Sequence, residues 1–191
     1  MLQRKSFCTR FGALAVALLL AAMTASAHAQ EPSADNDYGK KLPSPPAQAS
    51  VTLDGKPVTI DYSAPSLRGR KVFGSLLPYD NVWRTGANAA TTLTTPVNLK
   101  IGDLSVPAGT YTIYSLPSVT TWKLIVNKQT KQWGTVYNQD QDLGRVDMTK
   151  GPTPAAPVEQ FAIKFEDTRG KKTQLHLIWE NTDAYVPVTA E

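Results

Sequence analysis

Thr110-Tyr111-Thr112-Ile113-Tyr114-Ser115-Leu116 alternates hydroxyl-bearing with larger apolar or aromatic side chains. A period of two is the signature of a strand with one buried and one wet face, here with Tyr111 and Ile113 inward. Other segments repeat the pattern. Ser50–Leu53 and Pro57–Tyr62 flank Asp54-Gly55, and Asp-Gly between alternating apolar runs is a strong hairpin signal because glycine accepts the positive φ of a primed turn. Further strands are expected at Thr91–Thr95, Val97–Ile101, Leu104–Val106, Thr121–Asn127, Val158–Phe165 and Thr173–Glu180, with Tyr185–Val188 as a last short edge.

Lys128–Pro157 is too long for a structureless loop in a compact domain, so short strands are expected at Thr135–Tyr137 and Arg145–Thr149. No helical period follows Met23. About nine short strands at near-regular spacing predict an all-β fold, a single antiparallel β-sandwich or flattened barrel. There is no internal repeat.

Two segments are expected to precede that unit. Arg4, Lys5 and Arg10 form a cationic start, Phe11–Met23 is apolar, and Ala27-His28-Ala29 fits a small-residue cleavage site, so residues 1–29 read as a signal peptide. Thirteen apolar residues at about 1.5 Å rise span about 20 Å, short of a membrane core of roughly 30 Å. No integral span is expected after cleavage, and the chain is placed in the periplasm or outside the cell. Residues 30–48, with four prolines and few apolar side chains, read as a flexible Pro-rich linker. The β-sandwich domain is assigned to 49–190.

Cleavage removes 29 of 191 residues and leaves 162, enough for one domain that buries on the order of 70% of its unfolded surface. It also removes three of the twenty basic residues and none of the sixteen acidic ones, so the net charge falls from +4 to +1. The chain shows no clustered basic stripe with stacking aromatics, and nucleic acid is set aside. The sole cysteine, Cys8, precedes the apolar run and leaves with it. The mature domain must hold its fold without disulfides.

Chemistry-bearing residues are sparse. The mature chain retains one histidine, His176, on the Gln174/His176/Ile178/Glu180 face of its strand. It reads as a surface or sheet-packing residue. One histidine and no cysteine assemble no zinc site, and neither a G-x-S-x-G elbow nor an S-x-x-K pair occurs. Asn138-Gln139-Asp140-Gln141-Asp142 starts like a calcium loop, but Leu143 stands where glycine is needed and Thr149 where a bidentate glutamate is needed. No metal and no cofactor are assigned.

Ser63–Asn88 (SAPSLRGRKVFGSLLPYDNVWRTGAN) breaks the alternation and interleaves guanidinium groups with rings. Arginine binds carboxylate or phosphate through a planar fork and stacks on aromatic faces. Arg70, Tyr79, Trp83, Arg84 and Asn88 are therefore the candidate ligand-binding residues. In the competing structural reading, Trp83 and Phe73 plug the end of the sandwich, Arg84 pairs with an internal acid such as Asp61 or Asp80, and Gly86 and Asn88 shape a turn.

These segments carry a family resemblance. Ser63-x-Pro65, Gly69-Arg70-Lys71-x-Phe73-Gly74 and Pro78-Tyr79-x-x-x-Trp83-Arg84-Thr85-Gly86-Ala87-Asn88-x-Ala90-Thr91-Thr92 are followed by Pro107-Ala108-Gly109-Thr110-Tyr111, Trp122, Asn127, Trp133-Gly134 and Trp179-Glu180. Over roughly 49–188 the chain resembles a bacterial exported family catalogued as domain of unknown function 2911. The resemblance implies an exported single β-domain and supplies no catalytic residue.

On these grounds the leading expectation is a non-catalytic module of the cell envelope that binds a small molecule, glycan or protein partner through Arg70, Tyr79, Trp83, Arg84 and Asn88. One alternative is an enzyme acting on an acidic polymer, with Arg84 neutralising a carboxylate and Tyr79 exchanging a proton. Another is a structural or assembly protein that uses Tyr185–Val188 as an exposed edge.

Overall fold

The structure, a computed structural model, describes residues 43–191. The expected signal peptide and residues 30–42 of the expected linker lie outside them. Twelve strands occur among the described residues: β1 (Pro46–Leu53), β2 (Lys56–Ser63), β3 (Thr92–Thr95), β4 (Leu99–Ile101), β5 (Leu104–Val106), β6 (Gly109–Leu116), β7 (Lys123–Asn127), β8 (Asp142–Asp147), β9 (Thr149–Lys150), β10 (Val158–Arg169), β11 (Lys172–Glu180) and β12 (Thr182–Ala190). Helical backbone there is limited to one 3-10 turn, Gln139–Gln141.

Two antiparallel sheets form the sandwich. One has the order β1-β2-β3-β6-β7-β8; the other runs β10-β11-β12-β4-β5, with β9 also on β12. The β1–β2 hairpin turns at Asp54 (φ 52°) and Gly55 (φ 71°), the positive pair that a primed turn demands. Its strands pair without slippage from Leu53↔Lys56 to Pro46↔Ser63. The folded unit thus starts three residues ahead of the expected boundary at Ala49, because Pro46–Gln48 are held by Asp61–Ser63.

The facing surfaces supply a continuous core that includes Leu53, Ile60, Leu93, Ile113, Leu124, Val126, Phe161, Leu175, Leu177 and Val186. Two expectations fail against the observed topology. Tyr185–Val188 is not an edge: it lies within β12, which pairs with β11 on one side and with β9 and β4 on the other. Thr135–Tyr137 is not a strand, whereas strand is found over Arg145–Thr149 as expected, divided between β8 and β9.

The outer face of β6 is not wet. Thr112 and Tyr114 are nearly as buried as Ile113, because a loop folds over them: Thr112 Oγ1 donates to Gln129 O (2.7 Å) and Tyr114 Oη to Val136 O (2.8 Å). Farther along, Trp83 exchanges both backbone hydrogen bonds with Ser115 at 2.8 and 2.9 Å.

Candidate functional site

Ser63–Asn88 packs across one end of the sandwich. Trp83 is the anchor. Its ring stacks on Trp179 (5.7 Å between centroids, 19°) and meets Phe161 edge-on at 4.9 Å; Phe73 in turn packs edge-on against Trp122 at 4.7 Å. Burying these rings supplies much of the local stability, and tilted contacts suit their quadrupoles. The indole Nε1 donates to Gly86 O at 3.1 Å, so the polar atom is satisfied inside.

The Arg-Thr-Gly-Ala-Asn chemistry after Trp83 follows from the turn it must make. Thr85 (φ 52°) and Asn88 (φ 57°) are left-handed, an unfavourable region for a β-branched residue. Hydrogen bonds hold Thr85 there: Oγ1 reaches Ser115 Oγ at 3.0 Å, and Thr91 Oγ1 donates to Thr85 O at 2.8 Å. Gly86 has no room for a side chain, since a Cβ would lie 3.0 Å from both Ser63 O and Thr91 Oγ1.

With Trp83 turned inward, Arg84 projects to the other side. It lines a groove of about 560 Å³ together with Arg68 and Arg70, over the edges of Trp83 and Trp179 and beside Leu76. Among the described residues no carboxylate lines this groove. Arg70 is fixed by donating Nε to Leu67 O (2.9 Å) and Nη2 to Ser66 O (2.8 Å). Arg68 donates its backbone N–H to Glu159 Oε1 (2.9 Å) and Nη2 to Pro43 O (2.7 Å).

Arg84 differs. Its Nε is buried and has no acceptor among the described residues, and desolvation pushes the guanidinium pKa down. The internal ion pair expected under the structural reading is not found among the described residues: Asp61 accepts instead from Gln48 Nε2, and no ion pair there involves Arg68, Arg70 or Arg84. A buried donor with no acceptor is costly, more so when charged. Three cations on one concave wall compound the cost.

The five residues selected from the sequence are therefore divided. Arg70, Arg84 and the edge of Trp83 share the groove. Tyr79 lines a different cavity with Phe73 and Trp122, and Asn88 Nδ2 donates to Ser44 O at 3.1 Å, tying down the chain ahead of β1. Arg68 and Trp179 complete the groove and were not selected. Arg68 had a local signal, since its left-handed φ of 51° next to Gly69 at 70° folds Leu67–Arg70 into a turn that brings both arginines to one wall. Trp179 had none, being brought in from the far end of β11.

Elsewhere, His176 is buried on the outer face of its sheet, with Nδ1 2.8 Å from Asp183 Oδ1, Nε2 3.2 Å from Gln174 Oε1, and Tyr185 stacked on the ring at 5.0 Å. Both ring nitrogens are occupied. The Asn138–Asp142 segment is a hydrogen-bonded turn, in which Asn138 Oδ1 accepts from Asp140 N. Asp142 accepts from Tyr137 Oη (2.7 Å), Arg145 Nε (2.9 Å) and Asn127 Nδ2 (2.8 Å). Its oxygens are committed within the protein.

No curated protein and no solved structure matches the chain. A family model described as "Protein of unknown function (DUF2911)" matches residues 44–188, a span that includes the groove arginines, Trp83, Trp179 and both sheets. The chain belongs to that family.

Proposed function

We propose that this domain is a non-catalytic binding module of the cell envelope whose arginine groove takes a small ligand with an acidic group. The observation that carries the reading is Arg84, a half-buried guanidinium whose Nε has no acceptor among the described residues and which shares with Arg68 and Arg70 a wall to which those residues bring no carboxylate. An oxyanion seated there would accept from Arg84 and neutralise part of the wall, and the planar forks suit carboxylate or phosphate. The edges of Trp83 and Trp179 and the exposed Leu76 offer apolar contact to the rest of such a ligand. Placement in the envelope rests on the cationic and apolar start of the sequence.

The enzymatic alternative has less support. It requires Tyr79 beside Arg84, and the two line separate cavities. The assembly reading loses its edge strand, since Tyr185–Val188 is paired on both sides.

A thermal-shift screen tests the proposal. Small carboxylates and phosphates should raise the unfolding midpoint of the purified chain in a saturable way, because a ligand bound only to the folded state stabilises it by mass action. Their neutral methyl esters should not. Equal shifts from acids and esters would overturn the reading.

A further inference from the structure

The second cavity, about 210 Å³ in volume, has a different chemistry from the groove. Phe73, Tyr79 and Trp122 give it ring surface, and Lys150, Asn181 and Asp183 give it polar groups. Asp183 is the unusual one: it is only 6% exposed. Its Oδ1 is held by His176 Nδ1 at 2.8 Å, and that imidazole is braced in turn by Gln174. Its Oδ2 takes no hydrogen bond from any described residue. Gly151 leaves this oxygen uncovered, since a Cβ there would lie 2.5 Å from Oδ2. A rigidly oriented acceptor left open at a cavity wall is placed to take a donor from outside the protein.

The other groups narrow that donor's chemistry. Lys150 balances Asp183, so the cavity has no net formal charge and does not select an anion as the arginine wall does. A purely apolar guest would leave Asp183 Oδ2 unsatisfied. A ligand that donates a hydroxyl to Oδ2, accepts from the Asn181 amide and the Lys150 ammonium, and lays C–H groups on ring surface satisfies every wall at once. The volume is that of about seven waters, room for one small ring rather than a chain.

We propose that this cavity is a subsite for one neutral pyranose ring, with Asp183 Oδ2 accepting a sugar hydroxyl and Tyr79 stacking from the rim. The proposal is independent of the arginine groove, so either can fail without the other.

Amide proton–nitrogen correlation spectra of the labelled chain test it, with methyl α-D-glucopyranoside, methyl β-D-galactopyranoside and N-acetylglucosamine as probes at millimolar concentration and glycine as a zwitterionic control. At least one sugar should give saturable shifts confined to the Tyr79, Asn181 and Asp183 amides and the Trp122 indole. Tyr79→Ala and Asn181→Ala, both at exposed positions, should each weaken that sugar about five-fold. Asp183→Asn should weaken it further where the variant folds, and the two exposed variants carry the test where it does not. The proposal is overturned by the absence of saturable shifts with all three sugars, by shifts at these residues with glycine alone, or by sugar binding unchanged in both exposed variants.

Discussion

A Cβ placed on Gly134 would lie 2.5 Å from Cδ of Arg84 and 2.7 Å from Asn88 O. The glycine is what allows the Arg84 stem to cross the loop carrying Trp133 and reach the groove. Gly134 N also donates to Asn88 O at 3.1 Å, so the loop and the Arg84–Asn88 turn are joined by backbone as well as by packing. Gly134→Ala is expected to displace the arginine and to destabilise the domain by about 1–3 kcal/mol, as overpacking does. Denaturant unfolding measures the stability loss, and anion titration should show weaker binding. A variant with wild-type stability and affinity would remove Gly134 from this role.

Trp83 serves the fold first. Its indole is buried among Phe73, Trp122, Phe161 and Trp179 and only its edge meets the groove. Trp83→Ala should cost about 3–5 kcal/mol. Trp83→Phe keeps a ring but drops the bond to Gly86 O, and should cost about 1–2 kcal/mol. Chemical denaturation separates the two, and a loss below about 1 kcal/mol for the alanine variant would contradict the anchoring role.

Tyr137 gives the domain an alkaline limit. Burial first, then its hydrogen bond to Asp142, pushes the phenol up to about 12, against about 10 in an unfolded chain. Between those values the unfolded state has released the proton while the folded state still holds it, so stability must fall as pH rises through the window. Phenolate absorbance should show a high-titrating tyrosine that Tyr137→Phe removes, beside Tyr114, which burial also raises. The variant should also lose less stability than wild type between about pH 10 and 12. An identical decline in both proteins would show that another group sets the limit.

Local features of the fold were legible where the chain signals its own geometry. Asp54-Gly55 announces the β1–β2 hairpin because the turn requires two positive φ angles. Leu175, Leu177 and Trp179 mark the core face of β11 because the side-chain period is two. What the sequence hid was coverage by distant chain. Thr112 looks like a wet position, but it and Tyr114 are roofed by the loop that carries Gln129 and Val136, and a covering loop leaves no periodic trace. Tyr185–Val188 looks like a short edge because its partners in β9 and β4 come from remote segments.

The candidate site divides the same way. Arg70 and Arg84 stand out as charges within an irregular, glycine-bearing stretch. Tyr79 belongs to the same stretch yet faces another cavity, because the turns between Gly74 and Trp83 reverse the direction of the chain. Trp179 enters from β11 by stacking on Trp83, a contact that no spacing along the chain encodes.

The most direct measurement pairs stability with affinity in Arg84→Met, which keeps the stem that packs on Gly134 and removes the guanidinium. If Arg84 is retained for an acidic ligand, relieving its unsatisfied buried charge should leave the domain as stable as wild type or more stable, by up to about 2 kcal/mol. The saturable thermal shift with small carboxylates or phosphates should be lost. A variant destabilised by more than about 1 kcal/mol that still binds those anions as wild type does would contradict the account.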